Sequence, residues 1–244
     1  MQHFTPHLYQ QAAIDAILNK PSVALWMEMG LGKTVVTLTA IDTLIYDAAE
    51  IRRVLVVAPK KVAEATWQDE AQKWDHLQHL RISTVLGTEA QRIAALNTPA
   101  DVYIINRENC YWLVGHYGRH WPFDMVVLDE ASSFKNHAAQ RFKALKAVRP
   151  KIAKVVELTG TPAPNNLLDL WAQIYLLDQG ERLGKYVTHY RQAYFWHIKY
   201  SWEAKDGAGD AIRRKISDLV LSFKAADLLE LPEKIVEDVP VVLD

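Results

Sequence analysis

The chain predicts an α/β fold in which a mostly parallel sheet is covered on both faces by helices. Three observations carry this prediction. Short runs of β-branched and aliphatic residues recur, such as Arg53-Val54-Leu55-Val56-Val57-Ala58 and Asp101-Val102-Tyr103-Ile104-Ile105. Longer amphipathic stretches separate them. One strand-to-helix junction carries the glycine-rich run Met27-Glu28-Met29-Gly30-Leu31-Gly32-Lys33-Thr34. Near-continuous apolar strands are buried on both faces, the habit of parallel sheets. Strand and helix in alternation build a doubly wound or RecA-like layer, and ligands on such layers bind at the carboxyl ends of the strands.

Taken in order, strands are expected at 22–27, 53–58, 82–86, 101–105, 124–128 and 154–158. Helical spacing is expected over 8–19, 33–47, 62–76, 89–96, 138–148 and 166–177. After residue 180 the texture changes. Tyr186, Tyr190, Tyr194, Phe195, Trp196, Tyr200 and Trp202 crowd one segment. Aromatic faces can stack nucleic-acid bases, but the spacing of the three tyrosines reads as the packed stripe of a helix. Asp206-Gly207-Ala208-Gly209 breaks the chain, Ile212 to Leu229 reads as helix, and 236–243 is one more possible strand. The expected division is a RecA-like lobe over 1–180, a helical extension packed on it over 181–232, and a return segment over 233–244.

Composition narrows the function classes. Half of the 244 residues are hydrophobic, enough for a core, and the net charge of −1 excludes a global pull toward nucleic acid. Any such binding needs a local patch. A single cysteine, Cys110, excludes a disulfide framework and a cysteine-based zinc site, and fits a reducing compartment. His116 and His120 stand four apart but lack a third ligand nearby in sequence. No secretory pattern opens the chain, and no apolar run nears the ~20 residues that span a bilayer. The expected location is cytoplasmic, with a nuclear one left open.

The glycine-rich run has the context of a phosphate-binding loop. Gly30 and Gly32 let backbone N–H groups turn inward, and the helix N-terminus after them favours an anion. Lys33 can reach outer phosphates and Thr34 can ligate Mg²⁺. Met29, Leu31 and Val35 complete the expected cradle. The strict pattern asks for glycine where Met27 stands. A second segment, Phe123-Asp124-Met125-Val126-Val127-Leu128, delivers Asp129 and Glu130 at a strand end. Asp129 is suited to Mg²⁺, an oxygen-seeking ion that keeps part of its water. Glu130 is suited to orient and deprotonate an attacking water. A third segment, Leu158-Thr159-Gly160-Thr161-Pro162-Ala163-Pro164-Asn165-Asn166, also follows a strand, and Asn166 suits a helix N-cap.

These three segments, in this order, resemble the Swi/Snf-type ATPases of helicase superfamily two, in a short form like the phage and bacterial members. The resemblance covers about Leu8 to Leu243. It implies a RecA-like ATPase lobe of a DNA translocase or helicase, with ATP and Mg²⁺ as cofactors and duplex DNA, bound without sequence preference, as partner. It further implies that Tyr9-Gln10 reads adenine and that Lys33, Asp129 and Glu130 are catalytic, with Thr34 and Asp129 holding the metal. Nucleic-acid contacts are implied at Pro59, Lys60 and Lys61, at Gly87, at Asn106 and Arg107, and at Thr159, Gly160 and Thr161, with Lys135-Asn136 a further candidate. Ser132 departs from the family's histidine, which puts its coupling hydrogen bonds in doubt. Leu221-Ser222-Phe223-Lys224 lies where chromatin members carry a basic run. The second RecA-like lobe, with its arginine finger, is expected outside these residues, in cis or in trans, leaving the isolated lobe nearly inactive. Two alternatives stay open: a non-hydrolytic nucleotide- or DNA-binding module, and an RNA-helicase lobe. Leu-Thr-Gly-Thr-Pro favours the DNA branch.

Overall fold

The computed structural model describes residues 2–160, 167–199 and 201–224. Helix α1 (Leu8–Asn19) leads into β1 (Ser22–Met27) and α2 (Lys33–Asp42). There follow β2 (Val54–Ala58), α3 (Trp67–Lys73), β3 (Ile82–Val85), α4 (Glu89–Asn97) and β4 (Val102–Asn106). Then come α5 (Cys110–Tyr117), β5 (Met125–Asp129), α6 (Gln140–Val148), β6 (Lys154–Thr159) and α7 (Leu167–Asp178). The remainder comprises α8 (Val187–Tyr194), the hairpin β7 (Phe195–Ile198) and β8 (Ser201–Ala204), α9 (Ala208–Ile216) and β9 (Val220–Phe223).

Seven strands form one sheet in the order β3-β4-β2-β5-β6-β1-β9, and every pairing in it is parallel. Side chains alternate between its faces. Val54 and Val56 join Ile17, Leu38 and Trp67 on one face; Leu55 and Val57 join Leu113, Phe142, Trp171 and Ile212 on the other. Both faces are therefore dry, as the apolar runs required. All six expected strands form, and α1 has the expected bounds.

Three expectations need correction. The helices expected over 33–47 and 62–76 each contain a π-helical turn, Thr43–Asp47 and Val62–Thr66, and the second ends where Trp74 turns extended. Helix α5 was not expected, because the exposed Tyr111 and half-buried Trp112 blur its apolar stripe. The extension is not simply helical. Aromatic and β-branched residues favour extended backbone, and Phe195–Ile198 pairs with Ser201–Ala204. Val220–Phe223 returns to the main sheet beside β1, with Ala24 opposite Val220 and Met27 opposite Phe223. Chain beyond residue 180 thus completes the same sheet. The tyrosine stripe holds in part: Tyr190 is buried and donates its hydroxyl to Leu167 O at 2.6 Å, whereas Tyr186 and Trp196 are exposed. The possible strand 236–243 and the return segment lie outside the described residues.

Among the described residues, Glu157 is the one acid sealed in the middle of the sheet, between Ala24 of β1 and Leu128 of β5. Its Oε1 has no hydrogen-bond partner among them. Burial pushes its pKa well up, against the pull of the Arg149 guanidinium. Arg149 spends its own donors on Leu176 O, Leu177 O, Ile152 O and Ser22 Oγ. The folded state therefore holds a proton that the unfolded chain releases above the ordinary value of 4.5. Stability contributed by that proton is full below this pH and falls as pH rises toward the folded-state pKa, by up to about 1.4 kcal/mol per pH unit. Urea unfolding of wild type and Glu157→Leu against pH should give a variant more stable by about 1–3 kcal/mol near neutrality. The gap should shrink toward acid; a gap independent of pH would contradict a protonated Glu157.

Candidate active site

The parallel sheet sets the site by aligning its strand ends. Read across the carboxyl edge, the loops carry Gly87 after β3, Asn106-Arg107 after β4, Pro59-Lys60-Lys61 after β2, Asp129-Glu130 after β5, Thr159-Gly160 at β6, and Gly30–Gly32 after β1. The expected nucleotide groups share the β5-β6-β1 side. The expected nucleic-acid groups lie mainly on the β3-β4-β2 side. A cleft of about 720 Å³ opens on the first side, lined among others by Gln10, Gly32, Lys33, Thr34, Asp129 and Glu130.

The loop geometry follows from its glycines. Gly30 and Gly32 have φ of 85° and 80°, a region L-residues avoid. At Gly32 a Cβ would also lie 2.7 Å from Gln10 Nε2. Met27 serves where glycine was expected because it is still strand, fully buried and paired with Phe223. Gln10 braces the loop. Its Nε2 donates to Leu31 O at 3.2 Å, while its Oε1 accepts from His7 N at 2.9 Å. Lys33 Nζ donates to Met27 O at 2.8 Å and to Glu28 O at 3.1 Å. Burial lowers its pKa, opposed by the charges of Asp129 and Glu130.

Burial raises the pKa of Asp129, opposed by hydrogen bonds from the Trp67 indole and the Glu130 backbone and by Lys33. The indole donates to Asp129 Oδ2 at 2.9 Å. Glu130 sits in the left-handed region at φ 55°, a conformation that costs a non-glycine residue energy and recurs at functional sites. Ser132 Oγ donates to Glu130 Oε1 at 2.9 Å. The hydroxyl thus supplies one hydrogen bond of its own where the sequence left coupling in doubt. The donor set suits Mg²⁺. Thr34 and Asp129 offer hard oxygens of the kind this ion prefers, and an ion held there would take its remaining ligands from phosphate and water.

Not every expected residue lines the cleft. Tyr9 packs instead on His7, at 5.6 Å between ring centres, and on Phe223. The Leu31 side chain is buried, although its carbonyl holds Gln10. Met29 stands 88% exposed at the mouth, and Val35 forms part of the floor. Lys60, Lys61 and Gly87 are exposed. Asn106 is buried, its amide engaged with Glu108 and Asn109, while Arg107 Nε pairs with Glu108. Thr159 is buried beside the cleft-lining Gly160. Lys135 pairs with Asp169 at 3.5 Å. Thr161 lies outside the described residues. Sequence reasoning missed the outer wall, where His3, Phe4, His7 and Trp74 line the cleft. Gln2 pairs with the chain around Lys73 and Asp75, and the Phe4 ring meets Trp74 at 5.2 Å. No local pattern marks such a long-range contact.

Comparison with known proteins agrees with this arrangement. Putative protein p41 of Acyrthosiphon pisum secondary endosymbiont phage 1 is 39% identical over 96% of the chain, which spans 54% of that relative's length. An uncharacterized ATP-dependent helicase of Mycoplasma genitalium is 27% identical over 88% of the chain and 20% of its own length. The Sulfolobus solfataricus SWI2/SNF2 ATPase core solved in complex with dsDNA superposes with a TM-score of 0.73 at 24% identity, over 92% of this chain and 47% of that one. That likeness concerns the fold, and the chain spans about half the length of the phage relative and of the Sulfolobus core. The SNF2-related domain matches residues 9–235. With the loop, the paired carboxylates and the sheet order all in place, the chain belongs to the SNF2-related family of RecA-like ATPase domains.

Proposed function

We propose that the cleft binds Mg-ATP and that the chain is the N-terminal ATPase lobe of a DNA translocase or helicase. One observation carries this reading: three neighbouring strand ends gather a phosphate loop, Gly160 and the Asp129-Glu130 pair around one cleft. Backbone N–H groups of the loop and the start of α2 receive the phosphates. Lys33 leaves the Met27 and Glu28 carbonyls to meet them. Thr34 and Asp129 hold Mg²⁺, which neutralises charge on the phosphate oxygens when bound. Glu130, oriented by Ser132, takes the proton of the attacking water. Gln10 sits where base binding can be felt directly by the loop through Leu31. A second lobe, for which relatives about twice as long have room, closes the cleft and supplies the opposing positive charge.

Lys60 and Lys61 leave the adjacent strand end and suit sequence-independent phosphate contacts. The similar Sulfolobus core, solved with dsDNA, supports a duplex as partner. Titrating a labelled duplex across a salt series tests this half of the reading. Each lysine that neutralises a phosphate adds about 1 to the slope of log affinity against log salt. Lys60→Glu with Lys61→Glu should flatten that slope by about 2 and weaken binding at low salt. An unchanged slope would remove this loop from the nucleic-acid path, and absence of duplex binding at low salt would contradict the lobe as a DNA-binding unit. Equilibrium binding of Mg-ATP tests the other half, with saturable uptake expected and none contradicting it.

A further inference from the structure

Trp67 is the first residue of α3 and is fully buried. A buried indole needs a partner for its N–H, and here the partner is Asp129 Oδ2 at 2.9 Å. The ring belongs to the buried cluster that includes Val36 and Leu38 of α2 and Val54 and Val56 of β2, and such packing restrains the donor. The pairing matters because Asp129 has a competing partner. Lys33 stands close enough for its charge to act on Asp129, yet its ammonium bonds Met27 and Glu28 carbonyls, and among the described residues no ion pair joins it to Asp129. With one oxygen fixed by the indole, the carboxylate lines the cleft without collapsing onto the lysine.

We propose that Trp67 is a positioning residue for the metal site: its indole N–H fixes the Asp129 carboxylate in the orientation that receives Mg²⁺. This rests on the reading of Asp129 as the metal carboxylate. It adds a residue from a different element, one that follows the Pro59-Lys60-Lys61 loop through the π-helical turn Val62–Thr66. Groups that orient a metal ligand typically cost about 10–100-fold in metal affinity when removed.

The test uses the whole chain and a fluorescent ATP analogue, titrated with Mg²⁺ and, separately, in excess chelator. Trp67→Phe removes the donor. Replacement of Trp67 by benzothienylalanine, which carries sulfur in place of the N–H, keeps the shape should the phenylalanine variant fold poorly. Metal-free nucleotide binding should be unchanged in both, while the Mg²⁺ needed for half-saturation rises about 10-fold. A merely structural Trp67 would leave the Mg²⁺ response of the shape-preserving variant at the wild-type level, and that result overturns the proposal. Asp129→Asn separates the two levels. If it abolishes the Mg²⁺ response while the Trp67 variants keep theirs, only the positioning role fails. If Asp129→Asn itself responds to Mg²⁺ like wild type, the metal reading and the proposal fall together.

Discussion

Joining the chain to the second lobe of a SNF2-related relative should raise ATP turnover by roughly 10³-fold or more, the lower end of what an arginine finger contributes to phosphoryl transfer. The expectation comes from the cleft itself. Its described lining offers one lysine close to the phosphate loop, and that lysine is partly buried beside two acids. Charge developing on the outer phosphate oxygens therefore meets little opposing charge from this lobe. Electrostatic stabilisation of that charge usually contributes more than any other effect in such reactions. Steady-state turnover of the fused and unfused proteins, with duplex DNA present, checks the gain. A fusion that binds nucleotide but turns over no faster than the chain alone would contradict a cleft completed from across the interface.

Lys33→Ala should weaken Mg-ATP binding by on the order of 100-fold, about 3 kcal/mol for one charge-assisted contact to phosphate. The loss is large because Asp129 and Glu130 remain, two carboxylates facing an anion with their countercharge removed. The fold should hold. Lys33 bonds carbonyls of its own loop, and alanine suits the start of α2. Calorimetric titration with unchanged thermal unfolding is the check. Affinity within a few-fold of wild type would place the phosphates elsewhere.

Much of this architecture is legible in the chain because it is local. Six strands announce themselves as apolar runs, and Gly30, Gly32, Lys33, Asp129 and Glu130 sit at junctions whose neighbours define them. Their gathering into one cleft follows from parallel topology alone, since parallel strands share one carboxyl edge. What stays hidden is decided by contacts distant in sequence. Val220–Phe223 looks like helix until β1 offers it a free edge. The outer wall depends on Gln2 meeting Lys73 and Asp75. The Trp67 N–H meets Asp129 only because the fold joins residues 62 positions apart. The ring of Tyr9, which the family resemblance pairs with Gln10 as an adenine reader, packs on His7 and Phe223 through contacts that the sequence alone does not announce.

The cleft is expected to bind Mg-ATP and to wait on a second lobe for its hydrolysis. The decisive measurement is ATP turnover by the chain alone, with and without duplex DNA and beside Glu130→Gln. The expected result is Mg-ATP bound in every sample and turnover near background in all of them. Vigorous DNA-stimulated turnover by the chain, lost in Glu130→Gln, would contradict it and make the lobe a self-sufficient ATPase.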